Sequence, residues 1–306
     1  MLIALLLSPT VRAQSFYADD SLSNTLYLIA ADGTPTTVAT GLSWPVGMAL
    51  DSSGDIYVAN NGFKGTGPMN TITEISASGA QTTFATGLSS PTDLAFDAEG
   101  NLYVRNEGAG TITMITPSGA QSTFVSGLTS YDTNSPNGMI FDSHGDMFVG
   151  NGTKAGAQSV LEISPTGSVT TFSAGGYLNG PAGMAFDGYG NLFVANSGSQ
   201  NVIEISPSGV QKIYATLPAG YTPSGMTMDG SGDLIIGTYG PASNSYVGNL
   251  YKIPVGSTTP IVIGSGLPYD VLSVNPDPVP EPGGALLVIG AGLMGIFRRR
   301  RPRGVA

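Results

Sequence analysis

Few side chains in this chain could carry acid–base, nucleophilic or metal chemistry. It contains no cysteine and one histidine, His144. Thiol catalysis, thiolate metal sites and histidine pairs are therefore excluded, and a serine triad would depend on His144 alone. His144 lies inside the tight-turn sequence Asp142-Ser143-His144-Gly145, so we expect a solvated turn residue. Carboxylate and amide oxygens remain, and these are the ligands that Ca²⁺ takes.

Two oxygen-bearing side chains occupy related places in a repeated triplet. Asp93 ends a Pro-Thr-Asp triplet, and Asn137 is the centre of a Pro-Asn-Gly triplet. The equivalent triplets that begin at Pro181 and Pro223 end in glycine and contain no acid. These two triplets alone do not make a metal site, because a metal needs several converging ligands, so we expect no cofactor.

The charge of the chain is strongly acidic between its two ends. Five basic and 20 acidic residues lie between Gln14 and Asp277, which gives this body a net charge of about −15. Such a surface repels a phosphate backbone. Nucleic acid is therefore excluded as an expected partner.

The elements that position these residues follow from an internal repeat. Five segments read Pro-x-x-x-x-x-Asp-x-x-Gly followed by Asp or Asn, and their aspartates are spaced by 46, 45, 45 and 42 residues. These aspartates are Asp51, Asp97, Asp142, Asp187 and Asp229. Each unit predicts four short strands separated by turn residues. A period of about 45 residues with four strands is typical of one β-propeller blade.

Counting strands predicts the number of blades and how the ring closes. Six third-and-fourth strand pairs are recognisable, but the N-terminal pair, preceded by a second strand at 15–18, lacks a first strand. A degenerate first strand at 269–274 is not followed by the other three strands of a blade. Together, the incomplete copies at the two ends of the chain supply the four strands of one blade. We therefore predict an all-β, six-bladed β-propeller over residues 14–276, closed by pairing of the N- and C-terminal strands.

The repeat unit resembles the NHL repeat and the wider six-bladed superfamily that includes gluconolactonase-like enzymes. That resemblance implies a propeller fold, and in the lactonases a divalent metal at the channel mouth. Their Pro-Asn-Gly asparagine is matched here by Asn137, but the aspartate expected in a later blade is missing. The resemblance therefore implies a metal-dependent lactonase or related hydrolase only as an alternative function, in which a divalent metal such as Ca²⁺ would bind near Asn137 and Asp93.

Strand alternation divides the loops between two faces of the disc. The turns between first and second strands, and between third and fourth strands, share one face, which we call the repeated-turn face. Its aspartates are expected to accept backbone N–H bonds while its glycines take positive φ. The loops between second and third strands and the blade-to-blade connections share the other, which we call the variable-loop face.

The variable-loop face is the predicted ligand-binding face, because loops that differ on a uniform scaffold usually carry specificity. Aromatic and charged side chains suit sugars or an extended partner chain. Its candidate residues are Trp44, Phe63, Asp93, Arg105, Tyr131, Asn137, Tyr177, Tyr221 and Tyr239. By contrast Asn60, Asn106, Asn151 and Asn196 recur at one position in four copies, which predicts a structural blade cap.

Both ends of the chain look like targeting segments. Residues 1–13 contain a short apolar run and end in Val-Arg-Ala, which predicts the remnant of a secretory signal peptide. Residues 277–306 contain a P-E-P motif, an apolar stretch at 283–297 and a basic tail at 298–303. We predict that 283–297 is a transmembrane helix whose basic end stays in the cytoplasm.

The order of these C-terminal features resembles the PEP-CTERM sorting signal. The residues that carry the resemblance are Pro280, Glu281, Pro282, Arg298, Arg299, Arg300 and Arg301. The resemblance implies an exosortase-type enzyme as partner, transient anchoring in the inner membrane, and release to the cell envelope or outside the cell. We therefore expect an exported binding or scaffolding propeller of the envelope or extracellular matrix, whose partner is a polysaccharide or an extracellular protein.

Overall fold

The computed structural model describes residues 15–30, 32–62, 67, 69–129, 138–152, 158–240, 247–268 and 271–276. These residues form 24 strands and no helix. In chain order the strands are β1 Phe16–Asp20, β2 Thr25–Ile29, β3 Pro35–Thr40, β4 Pro45–Leu50, β5 Ile56–Asn60, β6 Thr71–Ile75, β7 Gln81–Ala85, β8 Pro91–Phe96, β9 Leu102–Asn106, β10 Thr111–Ile115, β11 Gln121–Val125, β12 Met139–Phe141, β13 Met147–Asn151, β14 Ser159–Ile163, β15 Val169–Ala174, β16 Pro181–Phe186, β17 Leu192–Asn196, β18 Asn201–Ile205, β19 Gln211–Thr216, β20 Thr222–Met228, β21 Leu234–Tyr239, β22 Val247–Ile253, β23 Ile261–Pro268 and β24 Val271–Pro276.

The strands form six antiparallel four-stranded sheets, which confirms the predicted six-bladed propeller. Blade 1 has the order β24-β1-β2-β3, and blades 2 to 6 each take the next four strands of the chain. The closure is also as predicted, because β24 pairs with β1 in the register Phe16↔Pro276 and Ala18↔Val274. The closing strand spans 271–276, two residues later than the sequence indicated.

Aromatic side chains join neighbouring blades. Tyr57 of β5 meets Phe84 of its own blade and Phe96 of the next blade, with ring centroids 4.9 Å and 5.0 Å apart and edge-to-face geometry. The same arrangement recurs around Tyr103 and Phe148. Such pairs contribute about 0.5–1.5 kcal/mol each beyond their buried area. The repeated aromatic strand therefore stabilises the interfaces between blades.

The repeated turns are satisfied within themselves, as predicted. The Asp51 carboxylate accepts bonds from the backbone N–H groups of Ser53 and Asp55, at 2.8 Å and 2.9 Å. Gly54 in that turn has φ +84°, which suits glycine. His144 lies exposed in the equivalent turn of blade 4, with Nδ1 3.1 Å from Asp142 Oδ2.

The recurring asparagines connect blades on the opposite face. Asn60 Oδ1 accepts a bond from the backbone N–H of Ser43, in the connection that enters the same blade, while its Nδ2 donates to Thr73 Oγ1. Asn106, Asn151 and Asn196 accept the corresponding N–H groups of Ser89, Thr129 and Asn179. These bonds confirm the cap interpretation: the asparagines hold the blade-to-blade connections.

Within the described part of the chain, no helix is long and apolar enough to cross a membrane. The predicted helix at 283–297, the signal remnant at 1–13 and the sorting residues at 280–282 and 298–301 lie outside the described residues.

Candidate functional site

The first strands of the blades approach each other closely near the variable-loop face. A Cβ atom on Gly47 would lie 2.5 Å from the carbonyl oxygen of Thr92 in the next blade. A Cβ on Gly138 or Gly183 would collide with the backbone of the following blade in the same way. These contacts explain the glycine at this position in blades 2, 4 and 5. Blade 6 also has a glycine there, Gly225.

Blade 3 is the exception, because it has Asp93 at this position. The Asp93 carboxylate accepts a bond from the backbone N–H of Leu94 through Oδ1, at 2.8 Å. Its Oδ2 accepts another from the N–H of Met139, on the first strand of blade 4, at 2.6 Å. Asp93 therefore bridges two blades through a side chain. It also lines a cavity of about 310 Å³ in the central channel, formed by first strands of blades 2 to 6.

The surroundings of Asp93 oppose its ionisation. Burial raises the pKa of Asp93 to about 7, and the nearby carboxylate of Asp19 adds to the rise. The N–H groups of Leu94 and Met139 and the positive charge of Arg105 act in the opposite direction. Asp93 can therefore exist in both protonation states near neutral pH, which is a property that ligand-binding and catalytic carboxyls share.

Arg105 is the register partner of Asp93 on the neighbouring strand β9. Blades 2 and 5 have Ala59 and Ala195 at the same place. Arg105 is fully buried, and its Nη2 donates to the carbonyl oxygen of Thr129 at 2.8 Å. Its Nε and Nη1 have no hydrogen-bond partner among the described residues. Burial lowers the pKa of Arg105, while the carboxylates of Glu107 and Asp93 raise it.

Three buried hydroxyl groups lie toward the variable-loop face in blades 1 to 3. Ser21 follows β1, Ser43 lies in the connection from blade 1 to blade 2, and Thr92 precedes Asp93. Their oxygens, like Arg105 Nε and Nη1, have no hydrogen-bond partner within the described ranges. Leaving a buried polar group unpaired costs about 1–3 kcal/mol, so such groups call for an explanation. Blades 1 to 3 thus present a concentration of unused hydrogen-bonding capacity.

The predicted aromatic residues that the structure describes do not converge at this place. Trp44 is 8% exposed and belongs to a core cluster against which Tyr239 packs. Tyr221 packs edge-on against Tyr251, with ring centroids 5.7 Å apart. Tyr177 is exposed, and its backbone N–H donates to Gln211 on the outer strand of blade 5, so it lies at the rim. Phe63, Tyr131 and Asn137 lie outside the described residues.

The described residues offer few ligands for the divalent metal that the lactonase alternative requires. No group of three or more histidine and acidic side chains that could hold a metal occurs in the described segments. Both oxygens of Asp93 already accept backbone N–H bonds. The described residues therefore do not fit a metal.

Several residues of this site belong to no recognisable sequence motif. Asp19, Ser21, Ser43 and Thr92 have no motif of their own. A usable signal existed in the repeat: Asp19 and Arg105 stand where the other second strands have Ala or Gly. Charged residues at positions that other copies fill with the smallest side chains mark the blades that differ.

The comparisons with known proteins agree with this architecture. Residues 278–301 match the family model described as the PEP-CTERM protein-sorting motif. This motif indicates export, with membrane-anchored processing at the C-terminus. No curated protein matches the chain in sequence.

Solved propellers share the fold at low sequence identity. The nidogen/laminin complex has a chain that matches with TM-score 0.70 and 14% identity, over 86% of this chain and 98% of that one. A gluconolactonase from Xanthomonas campestris matches with TM-score 0.62 and 15% identity, over 85% and 87%. A virginiamycin B lyase from Staphylococcus aureus matches with TM-score 0.52 and 15% identity, over 78% and 71%. At these identities the likeness shows the fold alone.

Proposed function

We propose that this protein is an exported, non-catalytic binding propeller of the cell envelope or extracellular matrix, which recognises a neutral polysaccharide. The ligand would bind on the variable-loop face over blades 1 to 3. The observation that supports this most is a set of buried polar atoms that have no hydrogen-bond partner among the described residues. They are Nε and Nη1 of Arg105 and the hydroxyl oxygens of Ser21, Ser43 and Thr92, all on that side of those blades.

The chemistry of these groups suits sugar hydroxyls. Arg105 offers N–H donors, Asp93 offers an acceptor, and the serine and threonine hydroxyls do both. Sugar hydroxyl groups both donate and accept hydrogen bonds, so a ligand whose binding opens this region would pair the buried groups and remove the cost of leaving them unpaired. Binding of this kind requires no metal and no nucleophile.

The charge balance of the site favours a neutral ligand over an anionic one. Asp19 and Glu107 are buried; the Asp19 charge acts on Asp93, and the Glu107 and Asp93 charges act on Arg105, so the acidic groups outnumber the one guanidinium. The acidic body adds long-range repulsion of anions. A uronic-acid polymer would therefore bind more weakly than a neutral one.

The test is a glycan microarray probed with the full chain and with two variants. The double variant Asp93→Gly/Arg105→Ala gives blade 3 the residues that blade 2 has at these places, so it should fold. We expect it to lose at least about tenfold in affinity, equivalent to about 1.4 kcal/mol. The control His144→Ser changes an exposed residue on the repeated-turn face and should bind like the unchanged chain.

Three results would contradict the proposal. One is equal binding by the double variant and the unchanged chain. Another is binding to a purified extracellular protein with no binding to any glycan. The third is metal-dependent hydrolysis of a lactone by the full chain, lost on chelation, which would favour the lactonase alternative.

A further inference from the structure

The chain leaves the propeller on the repeated-turn face, close to the central channel. In blade 1 the register aligns Pro276 with Phe16, Phe16 with Ile29, and Ile29 with Pro35. The turn between Ile29 and Pro35 belongs to the repeated-turn face, so Pro276 ends at that face. β24 is the first strand of its sheet and contacts β20 and β4 of the flanking blades.

Very little chain separates this exit point from the membrane anchor. The sorting motif matches from residue 278, and its apolar stretch starts at residue 283. Only residues 277–282 lie between Pro276 and that stretch. Seven residue steps reach at most about 24 Å when fully extended. The anchored propeller is therefore held on a short tether that starts near its axis.

The disc is too large to turn over on such a tether. Four strands span about 14 Å from the inner to the outer strand, and a six-residue strand such as β4 is about 20 Å long. To bring the variable-loop face to the membrane, the tether would have to cover both distances, about 34 Å in all. Its reach is about 24 Å.

We propose that the anchored protein holds its repeated-turn face against the lipid headgroup surface and presents its variable-loop face outward. This inference does not depend on the nature of the ligand. It assigns the membrane surface as the partner of the repeated-turn face, and it leaves the variable-loop face open to a ligand before the sorting signal is processed.

The composition of the repeated-turn face is consistent with proximity to lipid but opposes strong adsorption. Three exposed apolar residues lie in its turns in blades 5 and 6: Tyr189, Val210 and Val255 are 88%, 66% and 68% exposed. Side chains of this kind suit the membrane interface. The repeated aspartates of the same face repel anionic lipids, so the tether, and not adsorption, sets the orientation.

The test uses the full chain reconstituted into vesicles of phosphatidylethanolamine and phosphatidylglycerol that contain a nitroxide-headgroup lipid. Because the chain has no cysteine, a single introduced cysteine carries a unique fluorophore. Ser52→Cys places it on the repeated-turn face and Ser126→Cys on the variable-loop face, and both positions are exposed. We expect the fluorophore at residue 52 to lose most of its emission, while that at residue 126 keeps its emission.

A second variant separates the tether from adsorption. A flexible Gly/Ser insertion of about 20 residues after Asp277 lengthens the reach by about 70 Å. It should reduce quenching at residue 52 to the level found at residue 126. Equal quenching on both faces, stronger quenching at residue 126, unchanged quenching after the insertion, or failure of the full chain to float with the vesicles would each overturn the proposal.

Discussion

Blades 3 and 5 have the same backbone but opposite chemistry at the channel. In blade 5 the first and second strands carry Ala182, Gly183 and Ala195 where blade 3 carries Thr92, Asp93 and Arg105. The blade 5 residues let the next blade approach to backbone contact. The blade 3 residues replace that contact with a carboxylate that accepts the Met139 N–H. A few substitutions thus change an ordinary structural interface into a polar site without altering the fold.

The largest expected effect comes from moving the blade 3 carboxyl to blade 5. Gly183→Asp places a side chain against the backbone of Ser224 and Met226, and Ala195 leaves the new charge without the arginine that accompanies Asp93. We expect a loss of about 3–5 kcal/mol in the free energy of unfolding. Gly183→Ala, which adds only the steric conflict, should cost about 1–3 kcal/mol. Urea unfolding of both variants measures this, and a stable Gly183→Asp protein would show that the two interfaces are interchangeable.

The next effect concerns the coupling of Asp93 and Arg105. Asp93→Gly and Arg105→Ala each remove one charge and leave its neighbour less well compensated. The double variant removes both, so it should be more stable than the sum of the single losses predicts, by about 1–3 kcal/mol. A double-mutant cycle in urea measures this term. Strict additivity would mean that the two side chains act independently.

The pH dependence of stability should distinguish blade 3 from the others. Burial raises the pKa of Asp93 from 3.8 to about 7, so between pH 4 and 7 the folded state holds a proton that the unfolded state has released. The contribution of Asp93 to the free energy of unfolding is therefore full below pH 4 and is lost as the pH rises through 7. Access to the channel reduces the effect, so we expect a loss of about 1–2 kcal/mol over this range.

The measurement is the difference in unfolding free energy between the unchanged chain and Asp93→Gly at pH 4, 5.5 and 7. Subtraction removes the contribution of the other carboxyl groups that both proteins share. If this difference does not change with pH, the raised pKa of Asp93 is refuted.

The smallest effect concerns a turn at which blade 3 should not differ from blade 2. Gly54 in blade 2 and Gly100 in blade 3 have φ +84° and +83° in equivalent turns. Gly54→Ala and Gly100→Ala should therefore cost the same, about 1 kcal/mol each, because alanine is strained at positive φ. Thermal unfolding of the two variants would reveal any influence of the blade 3 site on its turn, and unequal losses would show that the site extends through the disc.

Much of the architecture was predictable because it depends on local chemistry that the repeat copies. The Asp51 turn and the Asn60 cap use contacts that recur in other blades, so a pattern in one copy is tested by the others. The site was only partly predictable. Asp93 and Arg105 were expected on one face, but not as register partners, and Trp44 was expected as a ligand platform whereas it lies in a core cluster.

The sequence by itself determined the period, the strand alternation, the turn chemistry and the pairing of the two ends, and hence a closed six-bladed ring with two unlike faces. These properties follow from residues close together in the chain or copied at a constant interval. Only the tertiary structure decided that Asp93 bridges to Met139, that Arg105 is fully buried, and that Ser21, Ser43 and Thr92 lie on the same side with no partner in the described residues. Burial and pairing depend on neighbours contributed by other blades, which no single repeat specifies.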